Sequence, residues 1–362
     1  MIIGSIKEDI NLEKRISITP DVIKKYKSIG IDVCLTKGYG NHIGIDDNIF
    51  LREAAKIFNS DIEVINNSEL IVQLNILSDE KISILKSNQI LIGTLNPYNN
   101  LNKLKELYSK KINCFSIELL PRITRAQSMD VLSSQANLAG YKAVVDSFSY
   151  FNKAIPMMMT AAGTISAAKV LVIGAGVAGL QAIATAKRMG AIVYATDVRS
   201  ASKEQVESLG GKFLSVEDSE NLETSGGYAK ETSDEFKKKQ HDLLKTTLEK
   251  IDIVICTALI PGKKAPIIIN KDMIKVMKSG SIIYDLAAPQ GGNTELTKID
   301  EVVETNSIKI LGERNILNKL PISSSNLYAK NIFNFVNNLY DSKVKNIKIN
   351  LEDEIINQTL VK

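Results

Sequence analysis

The sequence predicts an α/β protein built on two mostly parallel sheets. Three observations carry that expectation. Apolar β-branched runs alternate with helical stretches over the first 120 residues and again from Lys169 to Ala288, the order that lays strands parallel. Lys169–Arg199 reads as one complete βαβ unit, with Gly174, Gly176 and Gly179 at G-x-G-x-x-G spacing between its first strand and its helix. A length of 362 residues suits two domains better than one or three. The expected architecture is therefore two Rossmann-like domains, the first discontinuous in sequence.

Taken in order, Ile2–Ile6 is the opening strand. In ITPDVIKKYKSIG, Thr19 is a candidate N-cap, Pro20 sits at the first helical position and Gly30 stops the helix, with Val22, Ile23 and Tyr26 as its apolar face. Ile31–Leu35, Leu70–Leu74, Gln89–Leu95 and Asn113–Ser116 are the further strands of this half. At Glu118–Asp130, ELLPRITRAQSMD, the pattern changes: Pro121 breaks it, and two arginines, a glutamine and an aspartate crowd together. A Pro-free helical stretch then runs from Ser128 to about Lys153 and marks the crossing between domains. The last helix, from about Asn326 to Leu339, carries Leu327, Ile332, Phe335, Val336 and Leu339 on one face. It is expected to return to the first domain, giving boundaries of 1–127 plus 306–362 for one domain and 128–305 for the other.

Within the βαβ unit each glycine has a chemical reason. Gly174 permits the tight turn, Gly176 lets backbone approach a pyrophosphate, and Gly179 lets helix and strand pack closely. The helix N-terminus offers N–H groups and a positive dipole end to phosphates. Asp197, about 20 residues on, is placed to accept hydrogen bonds from ribose hydroxyls. Strand before, helix after and acid at the next strand end together point to dinucleotide binding. A Gly-rich turn in an unrelated α/β protein would lack that combination.

Composition narrows the remainder. Hydrophobic residues make up 44% and charged residues 24%, so the chain is an ordinary globular protein rather than a disordered one. A net charge of +4 without a basic stripe interleaved with aromatics argues against a nucleic-acid partner. Cys34, Cys114 and Cys256 are far apart and lack C-x-x-C spacing, so they read as reduced structural thiols, with no metal site expected. The acidic N-terminus and the lack of any apolar run of about 18 residues argue against a signal peptide or a membrane span. His42 and His241 read as solvated loop histidines, and Lys7, Arg15 and Lys37 as surface residues. SGGYAKETSDEFKKKQHDLL, with Gly226 and Gly227 paired, suggests a mobile loop.

Several blocks together carry a family resemblance: PRITRAQSMDVLSSQANLAGYKAV, VIGAGVAGLQAIATAKRMGAIVYATDVR, GGYAKE, DLAAPQGGN and SNLYAKNIFNF. With these, nearly the whole chain resembles the NAD(H)-binding component of proton-translocating nicotinamide nucleotide transhydrogenase, a relative of alanine dehydrogenase. RAQSMD and GGYAKE are its most specific segments. The resemblance implies that Arg122, Gln127 and Asp130, with Ser133 close by, lie against the nicotinamide. A guanidinium and a carboxamide suit that role, since both can orient a neutral planar amide without donating a proton; an Arg–Asp pair tying a helix start to its neighbour is the competing reading. It implies that Tyr228 belongs to a loop closing over bound nucleotide. Val177, Val198, Arg199, Gly227, Gln240 and Leu259 are implied as further nucleotide contacts. An acid at Asp197 favours NAD(H) over a 2′-phosphorylated nucleotide.

The implied activity is hydride transfer from NADH to NADP⁺ held by a partner subunit. Partners would then be a membrane subunit and an NADP(H)-binding β subunit, with a homodimer of this chain. The implied location is cytoplasmic, peripheral on the inner membrane through those subunits, because the chain ends at Lys362 without a membrane segment, as in the split-gene form of the family. Two rivals stand beside this reading: a free-standing alanine-dehydrogenase-like oxidoreductase and a non-catalytic NAD(H) sensor. Arg15 matches a substrate-carboxylate arginine of alanine dehydrogenases. Those enzymes also use a strand lysine and a strand-end histidine, and the matching positions here are Asn75 and Asn96.

Overall fold

The structure, a computed structural model, describes residues 1–215, 234–260 and 262–362. Gly227 and Tyr228 lie outside the described residues. The chain divides into two compact units, Met1–Gln135 with Leu317–Lys362, and Ala136–Ile316. The first unit is thus discontinuous.

In the first unit, strands β1 (Ile2–Ser5), β2 (Asp32–Thr36), β3 (Lys56–Phe58), β4 (Leu70–Val72), β5 (Ile90–Gly93) and β6 (Asn113–Ser116) form a sheet in the order β6-β5-β4-β1-β2-β3. All are parallel, and the C-terminal strand Leu360–Val361 adds antiparallel to β6 as a seventh. One face packs on Val22, Ile23 and Tyr26 of the helix Pro20–Ser28 and on Ile332, Phe335, Val336 and Leu339 of the helix Pro321–Leu339. The other face packs on Val64, Ile65, Leu104 and Leu107. Burial on both faces explains why these strands read as continuous apolar runs rather than alternating ones.

The helix Pro321–Leu339 starts earlier than the sequence pattern suggests. Pro321 occupies its first turn, and the serines ahead of Asn326 turn inward: Ser324 and Ser325 are buried, with their hydroxyls donating to the Leu320 and Pro321 carbonyls. Leu327, expected on the buried face, is 37% exposed and belongs to the opposite side of the helix.

The helix Val131–Tyr150 carries the chain from the first unit into the second. There, a short hairpin of β7 (Met158–Thr160) and β8 (Gly163–Ile165) precedes the second sheet. That sheet contains β9 (Lys169–Ile173), β10 (Ile192–Thr196), β11 (Lys212–Phe213), β12 (Ile253–Cys256), β13 (Ile282–Asp285), β14 (Glu301–Thr305) and β15 (Ile308–Gly312). Their order is β11-β10-β9-β12-β13-β15-β14, parallel except for β14. The strand order therefore reverses between β9 and β12, and in open sheets ligands bind outside the carboxyl ends of strands at such a switch point. The first sheet has the same kind of reversal between β1 and β4.

Candidate functional site

At the switch point of the second sheet the glycine turn follows β9 directly. Gly174 has φ +91°, a left-handed conformation that a side chain resists, and a Cβ there would meet Thr257 Oγ1 at 2.7 Å. A Cβ on Gly179 would lie 1.9 Å from the Gly174 carbonyl oxygen, so the helix Val177–Arg188 starts hard against the turn. Gly179→Ala should therefore lower the melting temperature and remove nucleotide binding together. Overpacking costs about 1–3 kcal/mol or more, and here the clash is with backbone that cannot rotate away. A thermal melt with and without NADH measures both; an unchanged melt would show that the turn tolerates a methyl.

Gly176 contrasts with its neighbours. A Cβ there would meet only Arg199 Nη2, at 4.0 Å, so the space above the turn is open. The first N–H groups of the helix at Val177, which is itself exposed, have no intrahelical acceptor and no side-chain cap. The turn and the dipole end of the helix fit a pyrophosphate.

Asp197 closes the turn from the end of β10. Its carboxylate accepts from the Ala175 N–H at 2.6 Å and from the Arg199 N–H at 2.9 Å. The Arg199 side chain adds Nε at 2.9 Å and Nη2 at 2.8 Å. Burial pushes this carboxyl upward, but the Arg199 side chain and the two backbone N–H groups outweigh it and hold the pKa below the usual aspartate value. Asp197 is therefore ionised and already paired. The simple picture of a bare acid repelling a 2′-phosphate needs that correction.

Two supports of this region are not apparent from the sequence. Thr257, just after β12, donates from Oγ1 to the Ile173 and Gly174 carbonyls at 3.1 and 2.9 Å and so props the glycine turn. Asn293, fully buried, accepts from the Ala258 N–H at 3.0 Å and donates to the Ala258 and Pro266 carbonyls, both at 2.9 Å. It thereby fixes the segment that presents Leu259, which is 40% exposed. Asn293 is held in turn by Asp285, which accepts its N–H at 2.7 Å and those of Ala287 and Thr294. Burial raises the Asp285 pKa, yet its partners are all structural, so it organises the turn rather than doing chemistry. The signal for Asn293 is present in DLAAPQGGN, as a polar residue after two glycines that both have positive φ. Gln240 is half-buried on the helix Asp234–Leu248.

In the first unit the RITRAQSMD segment is a short 3-10 turn, Thr124–Met129, ahead of the long helix. Ala126 and Met129 are buried in the core, which leaves Arg122 and Gln127 exposed. Asn331 and Asn334 of the helix Pro321–Leu339 donate to the Ser128 carbonyl at 2.8 and 2.9 Å. Arg125 makes a bidentate pair with Asp353, both bonds 2.7 Å. Asp130 caps the long helix by accepting the Ser133 N–H at 2.9 Å and its hydroxyl at 2.5 Å. An arginine–aspartate tie does exist here, but its members are Arg125 and Asp353. Gln127 thus sits on a turn pinned from three sides.

The first sheet's switch point holds a polar cluster that is only partly visible in the sequence. Arg15 is not a surface residue: its guanidinium is 13% exposed, paired with Glu13 at 2.6 and 2.8 Å and bonded to Gln135 Oε1 at 2.9 Å. Glu8 accepts from the Leu74 and Asn75 N–H groups, and Glu118 from those of Leu95 and Asn96. Burial raises the pKa of both acids, against these hydrogen bonds. Asn75 and Asn96 are exposed just beyond β4 and β5, which are neighbours in the sheet.

The histidines are not both loop residues. His241 lies on the helix Asp234–Leu248 with Nε2 3.0 Å from Asn270 Nδ2, while His42, in a short 3-10 turn, donates from Nε2 to the Lys14 carbonyl at 2.9 Å. The three cysteines are buried free thiols.

Residues 4–139 match the family model described as alanine dehydrogenase/PNT, N-terminal domain, and residues 143–362 match its C-terminal domain. The chain is 45% identical over 356 residues to the first of the polypeptides that make up the NAD(P) transhydrogenase alpha subunit of Rhodospirillum rubrum, covering 96% of this chain and 93% of that one. A solved transhydrogenase structure from Sinorhizobium meliloti superposes with a TM-score of 0.89 at 41% identity, over 99% of this chain and 98% of that one. An alanine dehydrogenase from Methanococcus maripaludis is more distant, 27% identical over 298 residues, which cover 82% of this chain and 74% of that one.

Proposed function

The chain belongs to the alanine dehydrogenase/PNT family, and from that premise we propose that it is the NAD(H)-binding subunit of a proton-translocating NAD(P) transhydrogenase. The observation that carries the nucleotide assignment is the glycine turn at the switch point, open above Gly176 and closed on one side by ionised Asp197. In this reading Gly174, Gly176, Val177 and Gly179 hold the pyrophosphate. Asp197 and Val198 meet the adenosine ribose, with Arg199 paired to Asp197 beside it, and Leu259 and Gln240 complete the nucleotide contacts.

The nicotinamide, when bound, supplies the hydride. Arg122 and Gln127 orient its amide, and Asp130 with Ser133 fixes the start of the helix behind them. Tyr228 and Gly227 keep their proposed role in a closing loop. No side chain has to take a proton, because only a hydride moves between two nicotinamides.

The acceptor is NADP⁺ on a separate β subunit, with a membrane subunit coupling transfer to proton movement. No described helix is long and apolar enough to cross a membrane, so attachment to the cytoplasmic face of the inner membrane would run through those subunits. A homodimer is supported by the β7–β8 hairpin and its approach, where Met157 is 63% and Met159 79% exposed, since apolar side chains standing out together mark association surfaces.

The test is a fluorescence titration with NADH and NADPH. NADH should bind more tightly, and Asp197→Asn should weaken it by about tenfold to a hundredfold, as roughly 1.5–3 kcal/mol for a hydrogen bond to a charged acceptor implies. The same substitution releases Arg199 and should narrow the gap to NADPH. Equal affinities in the wild type would refute the assignment.

A further inference from the structure

A carboxylate offers about four lone-pair directions for hydrogen bonds. Asp197 has all of them filled within its own chain. Oδ2 accepts from the Ala175 N–H and Arg199 Nη2, and Oδ1 accepts from the Arg199 N–H and Arg199 Nε. The ion pair is well shielded, with Asp197 6% and Arg199 18% exposed. Ribose 2′- and 3′-hydroxyls are donors toward a carboxylate, so they find no vacancy there.

The four bonds are not equally replaceable. Ala175 is locked in the glycine turn, whose Gly174 N–H donates to the Thr196 carbonyl at 2.9 Å and whose carbonyl abuts Gly179. The Arg199 N–H belongs to the backbone at the strand end. The guanidinium alone hangs on rotatable torsions, and its Nη2 is the nearest atom to the open space at Gly176.

We propose that the Arg199 guanidinium is an internal occupant of the ribose subsite, which the adenosine ribose displaces from Asp197 on binding, so that Arg199 sets the affinity for the nucleotide. This rests on the reading of Asp197 as the ribose acceptor. The role is a counterweight: in the free chain Arg199 keeps a buried carboxylate paired, and the cost of moving it is charged against every ribose that binds. An arginine that instead only supported the turn, or only touched the nucleotide, would not compete with the diol.

Displacement of NADH fluorescence from the full chain by ADP and by 2′,3′-dideoxy-ADP tests the exchange. Arg199→Met should bind ADP about tenfold more tightly, the equivalent of one charge-assisted hydrogen bond no longer lost. Its affinity for 2′,3′-dideoxy-ADP should stay unchanged, since that nucleotide brings no diol. Arg199→Lys, which cannot span both carboxylate oxygens, should fall between and serves if the methionine variant does not fold. ADP binding that is unchanged or weaker in these variants overturns the exchange, as does an equal shift for both nucleotides. Asp197→Asn separates the two layers of the argument. If it weakens ADP while the arginine variants fail, the ribose assignment stands without the exchange; if it leaves ADP unaffected, the ribose assignment falls and the proposal falls with it.

Discussion

Gln127→Asn should slow hydride transfer by about a hundredfold while changing NADH affinity little. The first half follows from geometry: a misplacement on the order of 1 Å at the reacting centre costs roughly two orders of magnitude in rate. Asparagine keeps the amide but withdraws it by one methylene. The turn cannot follow, because Ala126 and Met129 are buried on one side, the Ser128 carbonyl is held by Asn331 and Asn334, and Arg125 is tied to Asp353. The second half follows from where binding energy resides. In the proposed reading the pyrophosphate and ribose contacts belong to the glycine turn and Asp197, whose own bonds the substitution leaves intact. Stopped-flow transfer with the NADP(H)-binding partner, beside an equilibrium titration, reads both. A normal rate with collapsed affinity would make Gln127 a binding residue and end its positioning role.

The rigidity of that turn also shows what the sequence could reveal. Local chemistry was legible: the glycine fingerprint needs particular residues at fixed spacing, and the turn after β9 has the conformations those residues permit. Alternation of apolar runs likewise gave the strands, since both sheets are buried on two faces. Partners separated along the chain were not legible. Arg15 reads as a surface residue because nothing near it in sequence announces Gln135, which it meets 120 residues away. Arg125 and Asp353 are 228 residues apart, and neither stands out alone. The asparagines at 331 and 334 lie on one face of a helix the sequence predicts, but their target is a backbone carbonyl. Thr257 and Asn293 fall in the same class, as polar residues whose task is to hold backbone.

The protein should show no alanine dehydrogenase activity, although it has that relative's fold. Oxidising an amino acid removes a hydride and also requires a group to take a proton from nitrogen, so a general base has to stand beside the substrate. By strand matching, the place for such chemistry is the first sheet, where Asn75 and Asn96 stand just beyond the carboxyl ends of β4 and β5. Neither asparagine titrates. The acids nearby are engaged: Glu8 holds the backbone beyond β4, and Glu118 holds the backbone beyond β5. Arg15 keeps its charge through Glu13, but a permanent cation can hold a carboxylate without moving a proton. Such a site can bind a small acid and still not oxidise it. Transfer between two nicotinamides has no such requirement, which is why asparagines at these positions are compatible with the proposed reaction. Purified protein should form no NADH from L-alanine and consume none with pyruvate and ammonium. Turnover on the order of 1 s⁻¹, the low end of ordinary enzymes, would mean that Glu8 or Glu118 serves as the base, and would move the chain from the transhydrogenase branch of the family to the dehydrogenase one.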